Sequence, residues 1–301
     1  LMVALRALGW RGEVIIASFG FAGTAHAIRW AGGEPVFAEV DRQTFLLDPA
    51  SVGRMTTDRT VGILVTEAYG VPADLDALAQ VTDVPVLADG AHALGARRKS
   101  ERVPAARVYS MHPTKTIVAG EGGLIATDDA GLDGRLRRVR NFGFGARGQD
   151  ATEVGLNAKL PELSAILAYH QLELLSRTIH GRAAWDAVYR EVLDGTPGIA
   201  FQRVPTDVEH NYQYTPVLIR GGEFGRSRDE VAAALLDRGI VTRPYFSPPI
   251  HRMEAYSGRL RTDDLTWTEE LSASVLCLPV HPGESPDGAE RVAGMIRGLA
   301  R

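Results

Sequence analysis

Three side chains near the middle of the chain have the chemistry of a small-molecule site. They are Asp89 in LADGAHALGA (87–96), and Ser110 and Lys115 in SMHPTKTIVAGEGG (110–123). A lysine amine can lose its proton and add to a carbonyl, which a guanidinium never does. Lysine is also rare here: of 33 basic residues only Lys99, Lys115 and Lys159 are lysines, leaving 30 arginines. A GC-rich coding background accounts for most of that bias, but it makes each surviving lysine worth a question. A partner for such an amine would be the aldehyde of pyridoxal phosphate (PLP), which needs an acid at its pyridine nitrogen and donors for its phosphate. Asp89 and Ser110 have the chemistry for those tasks. The same residues also suit plainer roles: a helix-capping Asp, a Ser-x-His-Pro turn, or a buried Asp–Lys ion pair. The residues alone leave these alternatives open.

The elements that would position them are readable. Short apolar runs at 13–17, 35–40, 61–66, 84–88, 107–111 and 123–127 are expected strands, bounded by Gly, Pro or Asp. Helical patterns at 24–30, 74–81 and 129–140 fall between them. This alternation predicts an α/β fold with a mostly parallel central sheet and helices on both faces. Asp89, Ser110 and the Gly-rich GEGG at 120–123 then stand at strand ends, and ligands of open α/β sheets sit at the carboxyl ends of strands. Residues 161–192 read as one long helical stretch, with apolar Leu163, Ile166, Leu167, Leu174 and Leu175. Beyond it come expected strands at 199–204, 212–219 and 240–246 and helices at 228–238, 268–275 and 289–299. The expectation is a large domain over 1–175 and a smaller α+β domain over 176–301.

Composition excludes other classes. The 301 residues carry a formal charge of −4 with no basic block, a poor basis for binding nucleic acid. No apolar run approaches a bilayer span. The single cysteine, Cys277, rules out a disulfide framework or a Cys-based zinc site and suits a reducing cytoplasm. There is no GxGxxG after an early strand, no GxxxxGK[ST] and no HExxH, so no metal is expected.

The two stretches above resemble those of the DegT/DnrJ/EryC1/StrS sugar aminotransferases, PLP enzymes of fold type I. So do ASFGFAGTAHAI (17–28), GLNAKLPELSA (155–165), GIVTRPYF (239–246) and LPVHP (278–282), in the family's order and across nearly the whole chain. The resemblance implies that Lys115 is the Schiff-base lysine and proton shuttle. It implies that Asp89 pairs with the pyridine nitrogen and that His92 lies close to the ring. It further implies that Phe21 stacks on the ring, that Ser110 binds the phosphate, and that Asn157 reaches the phosphate from a partner subunit. Tyr245 and His251 match a segment near the substrate. Plainer roles stand beside these: Phe21 in the core, His92 as a satisfied structural histidine, Asn157 as a helix cap, Glu121 as a loop-fixing acid, Lys99 and Lys159 as surface charges.

Family members carry a small-residue–Gly–Thr turn that cradles the phosphate ahead of the first helix, and this chain starts inside that helix at LMVALRALG. The expectation is a piece of a longer protein rather than a homologue that has lost the turn. The resemblance implies a cytoplasmic homodimer that moves an amino group from L-glutamate to a keto sugar. The sugar would be a nucleotide-linked deoxyhexose of antibiotic or polysaccharide biosynthesis. The alternatives are a keto-cyclitol aminotransferase, a PLP-dependent dehydratase (whose relatives replace the lysine with His), and an inactive member serving as partner subunit or regulator.

Overall fold

The run EVIIA forms a strand buried along its whole length, β1 (Glu13–Ala17). In the computed structural model, which describes residues 1–100, 102–145, 148, 150–258 and 260–300, β1 lies inside a six-stranded sheet. The others are β2 (Glu34–Ala38), β3 (Thr60–Thr66), β4 (Val86–Asp89), β6 (Ala106–Ser110) and β7 (Gly123–Ala126). The order is β2-β1-β3-β4-β6-β7. All neighbours are parallel except β7, which returns antiparallel to β6. A short β5 (Arg97–Arg98) pairs outside this sheet with β9 (Val208–Glu209).

Strand side chains alternate between two faces, so β1 feeds two cores. Ile15 and Ala17 join a cluster with Val52 and Met55 of α3 (Pro49–Met55) and Leu75 and Leu78 of α4 (Leu75–Ala79). Val14 and Ile16 face α1 (Met2–Leu8), α2 (Ala22–Ala31) and α5 (Ala130–Val139), through residues such as Leu5, Ile28 and Leu136. A strand covered on both faces has no place for polar alternation, which is why these runs read as continuously apolar.

The C-terminal part builds an antiparallel sheet from β8 (Ile199–Phe201), β10 (Thr215–Ile219) and β11 (Val275–Leu278). Val217 and Leu276 share a core with α7 (Leu175–Leu193), α9 (Arg228–Leu236) and α11 (Asp287–Arg297). Leu218, Val275 and Cys277 point the other way and join the cluster beneath α3 and α4. The short α8 (Gly221–Phe224) precedes α9, and α10 (Thr266–Ser274) precedes β11. Glu39, just after β2, caps α10 from outside: its carboxylate accepts from Trp267 N at 2.7 Å, Thr268 N at 2.9 Å and Thr268 Oγ1 at 2.6 Å.

Two expectations are corrected. The stretch 161–192 is two helices, α6 (Glu162–Glu173) and α7, meeting at Leu174. There the Leu174 N–H bonds to Gln171 O, three residues back, at 3.1 Å and tightens the turn. Its apolar residues Leu163, Ile166, Leu167 and Leu174 point outward rather than into a core, Leu163 being 82% exposed. Among the described residues, 240–246 contains no strand. Arg243 makes a single bridge to Cys277, and Pro244, Pro248 and Pro249 supply no N–H for a ladder. Among the described residues, no helix is long and apolar enough to cross a membrane.

Candidate active site

Asp89 is the last residue of β4, and Ser110 the last of β6. Ser110 pairs with Gly123 at the first rung of β7, so the 12 residues between them, 111–122, hang from one closed end. Inside that loop Met111 N donates to Gly122 O at 3.0 Å, Lys115 N to His112 O at 2.9 Å, and Ala119 N to Met111 O at 2.9 Å. Buried Met111, Ile117 and Ala119 anchor it against Ala168 of α6. Lys115 is thereby held over the end of β4.

These elements enclose a cavity of about 560 Å³, a size suited to a cofactor or small substrate. Lys115, Asp89, His92, Ser110, Phe21 and Tyr245 all line it. The Asp89 carboxylate is buried, accepting from Thr24 Oγ1 at 2.9 Å and from Ala91 N at 3.2 Å. Burial pushes its pKa up, against those two hydrogen bonds and the positive charge of Lys115. Burial lowers the Lys115 amine to about 8, with Asp89 opposing. Among the described residues Asp89 and Lys115 interact through their charges with no hydrogen bond between them, so a direct buried salt bridge is not what the two form.

His92 is both structural and part of the cavity wall. Its Nδ1 accepts from Tyr69 N at 3.2 Å, and its ring stacks on Phe246 at 5.9 Å with planes 5° apart. Burial first, and Lys115 second, push its pKa well below the usual histidine range, so it is neutral. The turn that carries it is fixed by buried Asn211, whose Nδ2 donates to His92 O at 2.7 Å and Leu94 O at 2.9 Å. Phe21 is not core: it precedes α2 and is 68% exposed, its ring folded over Gly23. A methyl group at Gly23 would stand 2.8 Å from Phe21 Cε1. The Ser110 hydroxyl accepts from His112 N at 3.3 Å, so the turn and the cavity share it.

Two expected residues lie elsewhere. Asn157 is exposed and away from the cavity wall, and it caps no helix. Its Oδ1 accepts from Lys159 Nζ at 2.5 Å, and Pro161 occupies the cap position of α6. His251 is not on the cavity wall either. Its Nδ1 stands 2.7 Å from Ser18 Oγ and its Nε2 2.8 Å from Glu269 Oε1, which staples the 250–252 turn to the end of β1. Lys159 is exposed over the Phe142 ring, Lys99 is exposed, and Glu121 lies at the cavity mouth.

Sequence reasoning missed Thr24, Tyr214 and Phe246 on the wall. Thr24 carries a signal only once α2 is known to point its first turn at Asp89. Burial pushes the Tyr214 hydroxyl up to about 12, which keeps it protonated. The donor set is therefore one buried carboxylate, one partly deprotonated amine, one buried neutral imidazole, hydroxyls and an exposed aromatic face, with His112 and Glu121 on the exposed part of the wall. That set fits PLP: an acid for a basic ring nitrogen, an amine for an aldehyde and a flat ring for stacking.

The model for the DegT/DnrJ/EryC1/StrS aminotransferase family matches residues 1–297. The dTDP-4-amino-4,6-dideoxy-D-glucose transaminase of Escherichia coli is 32% identical over 308 residues, covering 99% of this chain and 82% of that protein. The UDP-N-acetyl-3-dehydro-alpha-D-glucosamine 3-aminotransferase of Acidithiobacillus ferrooxidans is 31% identical, covering 99% and 80%. Among solved structures, DesI in the presence of its TDP-sugar product superposes with a TM-score of 0.92 at 37% identity. That match covers 98% of this chain and 76% of DesI.

Proposed function

This chain belongs to the DegT/DnrJ/EryC1/StrS aminotransferase family of PLP-dependent enzymes, and on that premise we propose that it aminates the keto carbon of a nucleotide-linked deoxyhexose with L-glutamate as donor. The observation that carries this reading is Lys115, an amine with its pKa lowered to about 8 beside a buried carboxylate in one cavity. The nucleotide-sugar substrate is supported by the relatives, which act on dTDP- and UDP-linked sugars by name.

Bound PLP supplies an electron sink for the carbon that bears the amino group. Lys115 Nζ accepts a proton at that carbon and returns it, which an amine titrating near 8 does in both directions at mildly alkaline pH. The Asp89 carboxylate holds a proton on the basic ring nitrogen, and its own burial keeps water from competing. His92, neutral and stacked on Phe246, offers a flat uncharged face to the ring. Phe21 would stack on the ring, Ser110 would donate to the phosphate, and Tyr245 would contact the substrate. His251 acts on the substrate only by holding the 250–252 turn.

Asn157 serves the phosphate of a second copy in a cytoplasmic homodimer. The support is α6, where the large apolar side chains Leu163, Ile166, Leu167 and Tyr169 are exposed rather than buried. In the cell the product would feed antibiotic or polysaccharide assembly.

The test is borohydride reduction of the protein mixed with PLP, followed by peptide mapping. A pyridoxyl group on Lys115 is expected; labelling at Lys99 or Lys159, or none, overturns the reading. Glutamate-dependent turnover of a panel of dTDP- and UDP-keto-sugars, with a keto-cyclitol included, then identifies the acceptor.

A further inference from the structure

A second carboxylate lies directly beneath Asp89. Glu67 follows the last residue of β3, is fully buried, and donates its N–H to Asp89 O at 3.0 Å. Its Oε1 accepts from Arg107 Nε at 3.1 Å and from Ala73 N at 3.4 Å, with Arg107 Nη2 in ion-pair contact at 3.1 Å, while its Oε2 has no partner among the described residues. Arg107 stands on β6 opposite Ala88, one residue before Asp89. The Asp89–Gly90 turn rests on this pair, for a methyl group at Gly90 would stand 3.0 Å from both Glu67 Oε2 and Arg107 Cγ. Tyr109, two residues on along β6, lines the cavity.

A buried ion pair is by itself weak ground for stability, since apolar residues of the same volume serve as well. Setting it against another carboxylate is costlier still. Burial pushes the Glu67 carboxyl up, Arg107 pulls it down, and Asp89 pushes it up further; repulsion between two carboxylates acts on both. What such an arrangement places behind Asp89 is a carboxylate paired with Arg107.

We propose that the Glu67–Arg107 pair is a positioning and charge-setting element for Asp89: Arg107 holds Glu67 in place, and the charge of Glu67 strengthens the grip of Asp89 on a proton at whatever group it faces. Across the cavity Asp89 also faces the positive charge of Lys115, from the loop after β6. His92, from its own turn, is neutral. The consequence for catalysis rests on the assignment of Asp89 to the cofactor's ring nitrogen, whereas the measurement needs no cofactor.

The experiment is a ¹³C NMR titration of aspartate carboxyls in the cofactor-free protein, with the Asp89 signal identified by its loss in Asp89→Asn. Glu67→Gln is expected to move the Asp89 midpoint to lower pH, because a negative charge is removed and Arg107 is left unbalanced. Glu67→Gln/Arg107→Met, neutral at both positions, removes the two opposed charges together, is expected to lower it by less, and tests the pair as a unit if the single variant does not fold. A midpoint unmoved in folded variants overturns the proposal and leaves the pair purely structural. Lys115 labelling by PLP and borohydride is scored in the same variants. If Lys115 labels and the midpoint stays, this inference alone fails; if Lys115 of the native protein does not label, it is the cofactor reading that fails.

Discussion

Asp89 and Lys115 act on one another across the cavity without touching: the carboxylate draws the pKa of the amine up, burial draws it down, and burial wins, leaving the amine near 8. His92 stands on the same wall and is pushed the same way by burial and by Lys115, with nothing opposing. One cavity thus holds an acid, an amine whose pKa is lowered to about 8 and an imidazole that carries no charge.

Asp89→Asn removes the group that opposes burial at Lys115. The Lys115 midpoint is then expected below 8, read as the pH dependence of acylation of Lys115 by a limiting reagent and mass spectrometry of its peptide. A midpoint that rises or stays would show that the two side chains do not share a field.

Lys115→Met is expected to stabilise the cofactor-free protein while lowering kcat by about 10²–10⁴-fold. The sign follows from the proton count. The folded amine titrates near 8 and the unfolded one near the ordinary lysine value of 10.5, so between those values the unfolded chain binds more protons and stability rises with pH. The variant's advantage is therefore full below about pH 8 and shrinks toward 10.5, as urea unfolding at pH 7 and pH 10 measures.

Phe21→Ala leaves the fold within about 0.5 kcal/mol of the native protein, because the ring is already exposed. It removes an aromatic face worth about 0.5–1.5 kcal/mol, so PLP is expected to bind about two- to tenfold more weakly. Gly23→Ala, which displaces the same ring, shares that signature in a fluorescence titration with PLP.

Ile166→Arg places a charge in the exposed apolar face of α6. Light scattering is expected to show a monomer for the variant and a dimer for the native protein, with PLP-dependent turnover lost alongside. A native monomer would refute the role given to Asn157.

Glu39→Ala leaves the first amides of α10 without their acceptor. Losing such a cap costs about 1–2 kcal/mol, visible as a lower urea midpoint with an unchanged slope.

The parallel half of the fold was legible because strands buried on both faces have to be largely apolar, and β1 carries that pattern from Val14 to Ala17. Asp89, Ser110 and Lys115 were legible because the ends of β4 and β6 were. Other features had no local signature. The helix α3 announces itself only through Asp48 and Pro49, where Asp48 accepts from Ala50 N and Ser51 N. Outward Leu163 and Ile166 follow the same 3.6-residue spacing as inward ones, so periodicity could not tell which side α6 buries. The proline-rich run after 243 imitated a strand by composition while lacking its donors. Glu67 and Arg107 are 40 residues apart, and nothing in either neighbourhood points to the other.

The hairpin that carries Lys115 has a mechanical consequence. Because Ser110 and Gly123 are ladder partners, the loop 111–122 behaves as a noose hung from a fixed ring: its two ends cannot drift apart, whatever happens along its length. Changes in loop length would re-aim the amine without shifting the register of the sheet, and changes in the sheet would move both ends together. Reach and scaffold can therefore vary separately, which makes this loop the part of the molecule where insertions should retune the lysine while the rest of the cavity keeps its shape.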